Sequence, residues 1–396
     1  MIPLEGALAT VDESIGDRRV STERIPVRLA GGRVLATDHH SRVDLPPFDK
    51  SAVDGYAVLA DDQHDQYRLL GVVQAGQSDD VAIAPGTTVK VMTGAPVPRG
   101  AARVIMIEQA TERDGFVRFD TPRAAANICQ KAEDVTEGQT IVEAGSRIGA
   151  LEIANLISCG VSETDVARQV TLAVISTGDE IVDSYDRLSP GKIINTNGPL
   201  LTELARQFAF ATVREETVSD DKSKLTAAVE RAIADADIVV LSGGVSAGDY
   251  DFVPEVLGEL GLRIHFTQVG VKPGLPTTFA TGDKKLLFGL AGNPVAVYLT
   301  FHLFVVHAAA RLSGSTYSPR GFKVRLAQDF VRRSTTRTDY YPCRILGDGR
   351  VQTVAYHGPA HLRAVMQSDG FVVVPPGVKS LAAGEEVTFV SFQGWL

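Results

Sequence analysis

Between about residues 170 and 312 the chain alternates strand-like with helix-like stretches, and no other feature limits its fold so tightly. Strand patterns at 171–176, 211–218, 238–241, 263–269 and 285–289 are interleaved with helical patterns at 198–208, 222–234 and 253–260. A long apolar helical run follows from Pro294 to Leu312. Such alternation predicts a mostly parallel sheet covered by helices on both faces. Ligands of such sheets collect beyond the C-terminal ends of the strands. Two glycine turns, Ser176-Thr-Gly-Asp-Glu180 and Ser242-Gly-Gly-Val-Ser246, fall at those ends.

The flanking segments read differently. Residues 4–14 have helical periodicity, and 25–29 look like a strand. The chain then becomes extended and proline-punctuated at 43–47, a plausible boundary. Short β patterns at 67–74, 89–92, 104–108 and 116–119 predict a mostly β region. A helix is expected at 149–160, ending on Gly160, and its packing against the N-terminal helix would make the β region an insertion. Beyond Pro319, strand patterns at 323–326, 340–346, 351–355, 371–374 and 386–392 predict a small C-terminal β domain. The fold class expected is therefore a multidomain α/β and β chain.

Composition narrows the function classes. The formal net charge of −9 disfavours nucleic acid and anionic membranes as partners. The dense basic stretch Arg332, Arg333 and Arg337 reads as a solvated strand edge or loop, with phosphate binding as the competing reading. Three widely spaced cysteines form neither a disulfide framework nor a metal motif, and suit a reducing, cytoplasmic setting. The first twenty residues lack the pattern of a secretory signal. His302 and His307 interrupt the apolar run before Leu312, which reads as a buried helix and not a membrane span.

The chemistry-bearing motifs combine glycine with carboxylates. Gly243 and Gly244 allow a backbone to approach a ligand closely, and Ser242 and Ser246 can donate hydrogen bonds to a phosphate. Asp249 and Asp251 would repel that phosphate unless a divalent cation bridges them or a ring N–H donates to them. A helix cap at Asp251 is the competing reading. Ser176, Thr177, Gly178 and Glu180 form a similar turn. A third segment, Leu45 to Ala57, reads as a rigid loop offering Asp49, Lys50, Ser51 and Asp54.

Pro46-Pro-Phe-Asp-x-Ser-Ala-x-Asp-Gly-Tyr-Ala57 resembles the signature of molybdopterin molybdenumtransferases and the gephyrin E domain. The resemblance continues in Met92-Thr-Gly-Ala-Pro-Val-Pro98, Asn127-Ile through Glu133-Asp134, both glycine turns, Thr196-Asn197, Lys272-Pro-Gly274 and Gly292-Asn-Pro294. It implies a homodimer of four-domain chains: a discontinuous helical domain (1–42 and 133–167), an inserted β domain (43–132), a molybdopterin-binding α/β domain (168–316) and a C-terminal β domain (317–396). It implies a Mg2+-dependent reaction in which adenylylated molybdopterin and molybdate give molybdenum cofactor and AMP. Asp54, Asp134, Glu180, Asp220 and Asp251 match the family's active-site acids, with Glu180 and Asp251 expected at Mg2+ or the pterin edge. A plain helix cap competes for Asp220. Thr93 and Lys272 are expected at molybdate, and Ser176, Thr177, Gly178, Asn197, Ser242, Gly243, Gly244, Ser246, Pro273 and Gly274 along the ligand. The alternative is a divergent paralogue or scaffold on the same fold that binds molybdopterin nucleotide without insertase turnover, and a molybdopterin adenylyltransferase is an expected docking partner.

Some positions depart from the family pattern. Gln268 and Leu275 stand where lysines are usual, Ala291 replaces a proline, Ala132 replaces a glycine and Val53 a methionine. Gly358-Pro359 stands where a Gly-Ser pair is usual. Each lost cation is expected to weaken anion binding by about a kcal/mol or more.

Overall fold

The computed structural model describes residues 1–77, 81–120, 125–245, 252–319 and 321–392. Its central sheet has six strands, in the order Ala211–Val218, Thr171–Thr177, Ile238–Ser242, Leu286–Leu290, Pro276–Thr281 and Arg263–Gln268. The first four are mutually parallel, and Pro276–Thr281 runs antiparallel to both of its neighbours. Thr171–Thr177, Ile238–Ser242 and Leu286–Leu290 are almost wholly buried, as a parallel sheet covered on both faces requires.

The two-residue period of these strands divides the core in two. Leu172, Val174, Ile238, Val240, Leu286 and Phe288 face the helix Asn197–Gln207 and the long helix beginning at Pro294. Ala173, Ile175, Val239, Leu241 and Leu287 face the helices Lys222–Asp235 and Val253–Glu259. Pro294–Leu312 is the one helix among the described residues long and apolar enough to cross a membrane. It is packed inside the first core, with a π-helical turn at Phe301–Val306.

Pro276–Thr281 is a further strand, absent from the elements expected from the sequence. It opens on a proline, whose missing N–H is tolerated at a strand's first position, and the preceding Pro-Gly disguises it. The expected contact between the two helices of the N-terminal half is not formed. The helix Leu4–Ile15 packs Ala7, Val11 and Ile15 into the α/β core, where Asp12 pairs with His307 at 2.9 Å and Arg311 at 3.1 Å. The helix Ala150–Ser158 puts Leu156 into a separate cluster with Val27, Leu35 and Val166. The partners of the first helix lie up to about 300 positions away, and local periodicity carries no trace of them.

The N-terminal sheet has six strands, ordered Arg103–Met106, Gly55–Val58, Thr87–Val91, Tyr67–Val73, Phe116–Phe119 and Ala110–Arg113. Gly55–Val58, expected as the end of a loop, is a buried inner strand. Gly55 is obligatory there, because a Cβ would strike the Ile105 carbonyl of the adjacent strand.

A third sheet orders Val271–Lys272, Thr338–Ile345, Gly370–Val374, Glu386–Val390 and Gly321–Arg325, with Val351–Thr353 paired to Thr338–Ile345. Its edge strand thus comes from the Lys-Pro-Gly turn of the central region. Arg332 contradicts the solvated reading of the basic stretch. Its guanidinium is fully buried and donates to the carbonyls of Val378, Arg337, Val374 and Pro375.

Candidate active site

The strand Thr171–Thr177 is followed in the chain by the strand on one side of it and later by the strand on the other. That reversal opens a crevice beyond the strand ends. The crevice has a volume of about 790 Å³, within the usual range for small-molecule sites of roughly 300–1,000 Å³. Thr177, Gly178, Glu180, Asn197, Asp220, Ser242, Gly243 and Gly244 all line it. So do Asn293, Pro294 and, from the C-terminal segment, Ala360.

The two glycine turns touch one another. Gly243 has φ of 96°, and a Cβ there would collide with the Thr177 carbonyl oxygen. Only glycine meets both conditions, so this residue lets the Ser242 turn lie against the Thr177 turn. Asn197 ties in two more segments: its Nδ2 donates to Ser242 Oγ at 2.8 Å and to the Gly292 carbonyl at 2.7 Å. Asn197 Oδ1 and Ser176 Oγ are buried without a hydrogen-bond partner, leaving polar capacity beside the crevice.

Asp220 is not the helix cap. That role falls to Asp221, whose side chain accepts from the Lys224 N–H at 2.9 Å. Asp220 Oδ1 instead accepts from the Thr177 hydroxyl at 2.6 Å, and its Oδ2 from the Asp179 N–H at 3.3 Å. The Asp220 N–H donates back to Asp179 Oδ1 at 3.1 Å. Asp179 was missed as a site residue, although it sits inside the turn that drew attention to Glu180. The Glu180 side chain is exposed.

Asp54, Thr93 and Asp134 do not line this crevice. Asp54 and Thr93 meet elsewhere, in the N-terminal half, where the Leu45–Asp54 segment is stitched to two others. Ser51 exchanges backbone hydrogen bonds with Gly94 and Ala95, while Ala132 and Asp134 donate to the Pro46 and Leu45 carbonyls. Asp54 Oδ1 accepts from the Thr93 N–H at 2.6 Å and its hydroxyl at 2.8 Å. These two bonds hold the Asp54 carboxyl below its ordinary range, with desolvation opposing them. Ala132, at the position where glycine is usual, has φ of 63°.

Lys272 also lies off the crevice wall, although Pro276, four residues on, lines it. Gln268 sits opposite Pro276 in the antiparallel pair, so the absent lysine there is missing from the rim. Ser246 and Asp251 fall outside the described residues. Among the described residues, no group of three or more His, Cys, Asp or Glu could hold a metal.

Three family models match in order: the MoeA N-terminal region (domain I and II) at residues 2–160, a probable molybdopterin binding domain at 173–311 and the MoeA C-terminal region (domain IV) at 323–392. A molybdopterin molybdenumtransferase from Staphylococcus epidermidis is 32 % identical over 370 residues, covering 91 % of this chain and 88 % of the relative. The chain belongs to the molybdopterin molybdenumtransferase family. The family member from Nostoc is 32 % identical over 387 residues, covering 94 % of this chain and 89 % of its own. The molybdopterin biosynthesis MoeA protein of Pyrococcus horikoshii superposes with a TM-score of 0.83 at 28 % identity, over 99 % of this chain and 100 % of that one. The multidomain α/β and β architecture is therefore that of the family. The crevice, with its glycine turns, lies in the stretch matched to the molybdopterin binding domain.

Proposed function

We propose that this chain inserts molybdenum from molybdate into adenylylated molybdopterin, with splitting of the pyrophosphate link and release of AMP. The observation that carries the reading is the crevice at the reversal of strand order. Its glycine turns let the backbone approach a phosphate closely, and its carboxylates can accept from the N–H edge of a pterin. The near-full-length relatives named molybdopterin molybdenumtransferase support the same reaction.

In this reading Gly178, Gly243 and Gly244 approach the phosphates. Asn197 and Ser242 fix the loops that hold the ligand. Glu180, with Asp251, would hold Mg2+, an ion that commonly takes one or two carboxylates together with phosphate oxygens. An exposed glutamate beside a phosphate cradle has the hard-oxygen chemistry that ion requires. Bound there, Mg2+ would neutralise charge on the phosphates. Asp220 keeps Thr177 and Asp179 in register, so that the turn presents Glu180 to the crevice. Lys272 supplies a positive charge to molybdate, and Thr93 a hydroxyl.

Asp54 and Thr93 bond to one another in the N-terminal half, and they and Asp134 lie off the crevice of their own chain. We therefore assign them to the active site of a partner copy in a homodimer. Docking of a molybdopterin adenylyltransferase, which would deliver the nucleotide, and a cytoplasmic location belong to the same proposal. The test is to incubate the purified protein with adenylylated molybdopterin, Mg2+ and molybdate, and to follow AMP. Release that depends on molybdate supports the proposal, and retention of intact nucleotide contradicts it.

A further inference from the structure

We infer that Asp339 is a positioning residue for Lys272, and that the C-terminal sheet thereby sets the oxyanion site of the reaction proposed above. Lys272 does not stand on a free loop. Val271 and Lys272 pair in parallel register with Thr338 and Asp339, as the edge strand of the C-terminal sheet. The Lys272 ammonium lies 3.5 Å from Asp339 Oδ2. Three groups hold that carboxylate: Arg332 at 3.1 Å from Oδ1, the Tyr341 hydroxyl donating to Oδ2 at 3.1 Å, and Lys272 itself.

A lysine paired one-to-one with an aspartate would be a poor anion site, because its charge is cancelled. Here the charges do not cancel. Two cations, Lys272 and Arg332, share one carboxylate, so the cluster carries a surplus of one positive charge. Exposure decides where that surplus is felt. The Arg332 and Asp339 side chains are 0 % and 3 % exposed, whereas Lys272 is 41 % exposed. The surplus is therefore presented at the Lys272 ammonium, a compact point charge with three N–H donors that faces Asp339 at ion-pair distance. Tyr341 stays a neutral donor, since burial, with Asp339 beside it, pushes its hydroxyl up to about 12.

The arrangement also bears on the missing cations. Gln268 and Leu275 supply no charge on either side of Lys272. A single lysine drawn toward a buried aspartate loses less freedom when it binds an anion than an unpaired one does. Asp339 thus serves in place of neighbouring lysines, by fixing one cation instead of adding others.

The experiment measures molybdate-dependent AMP release, with adenylylated molybdopterin saturating, for the wild type and for Asp339→Asn, Asp339→Glu, Lys272→Met and the double variant Asp339→Asn/Lys272→Met. Asp339→Asn is expected to raise the KM for molybdate about tenfold, with a smaller change in kcat. Asp339→Glu is expected to recover most of the loss. The double variant should be no worse than Lys272→Met alone, because the aspartate acts through the lysine. Tyr341→Phe, which disturbs the cluster without removing a charge, should raise KM about twofold to threefold and serves if Asp339→Asn does not fold. A wild type that releases AMP, combined with an unchanged or lowered KM in Asp339→Asn or, should that not fold, in Tyr341→Phe, would overturn this inference and leave the proposed function standing. A wild type that releases none would overturn the proposed function, and this inference with it.

Discussion

Single residues in this protein do work that their sequence neighbourhood conceals. Asp220 and Asp221 are adjacent acids at a helix start, yet only Asp221 caps the helix. Its neighbour is thereby released to brace the Thr177 turn. Nothing local distinguishes them, since the choice depends on where the other strand ends. Ala132 is the reverse case, because the sequence marked it as unusual and the backbone explains why. With φ of 63°, it holds a conformation that costs an L-residue roughly 1–2 kcal/mol. Ala132→Gly is expected to raise unfolding stability by about 1 kcal/mol in urea titrations, the strain relieved being partly offset by glycine's unfolded-state entropy. Glu180→Gln keeps the shape of the crevice and removes a charge. AMP release should fall by roughly a hundredfold while nucleotide binding, measured by calorimetry, survives. Equal loss of binding and turnover would make Glu180 a ligand-binding group only.

At the scale of elements, the parallel strands and their helices were legible because both periodicities are strong there and the strands are buried on both faces. Two of the strands missed begin on Gly or Pro: Gly55–Val58 and Pro276–Thr281. Those residues punctuate loops in most sequences. Here they start strands because a neighbouring backbone lies too close for a side chain, or because the first N–H is not needed. The burial of Arg332 was illegible for another reason. Its partners are carbonyls contributed largely by a segment about 45 residues later, and a run of arginines looks solvated until that segment folds over it. The contact between the glycine turns is the element-level feature most exposed to mutation. Gly243→Ala must rotate its φ and push the Thr177 turn away. It is expected to abolish nucleotide binding and to cost about 2 kcal/mol or more in thermal unfolding. Wild-type nucleotide affinity in that variant would show that the turns need not touch.

At the scale of the whole molecule, the long helix Pro294–Leu312 links the core to acid sensitivity. His302 is buried in an aromatic cluster, stacked on Phe392 with ring centroids 4.7 Å apart, and its Nε2 lacks a hydrogen-bond partner. Burial lowers its pKa from 6.5 to about 3, so it is neutral in the folded protein. The unfolded chain takes up a proton as pH falls through 6.5, and the folded chain does so only near 3. Stability is therefore full above pH 6.5 and declines between the two values, by about 2 kcal/mol at pH 5. His302→Phe should reduce the difference in stability between pH 8 and pH 5 by that amount, whatever its packing cost at pH 8. An unchanged difference would mean that the ring is protonated in the fold. The legible part of the active site was likewise the half built from one continuous stretch. The glycine turns and Glu180 could be read from residues 176–244, whereas the meeting of Asp54 with Thr93 depends on pairing between segments about 40 residues apart. The central claim, that the crevice supports molybdenum insertion, is tested most directly by AMP release from adenylylated molybdopterin in the presence of Mg2+, with and without molybdate. Release is expected to rise with molybdate and to fall by roughly a hundredfold in Glu180→Gln. Release at the same rate without molybdate, or none while the nucleotide stays bound, would contradict it.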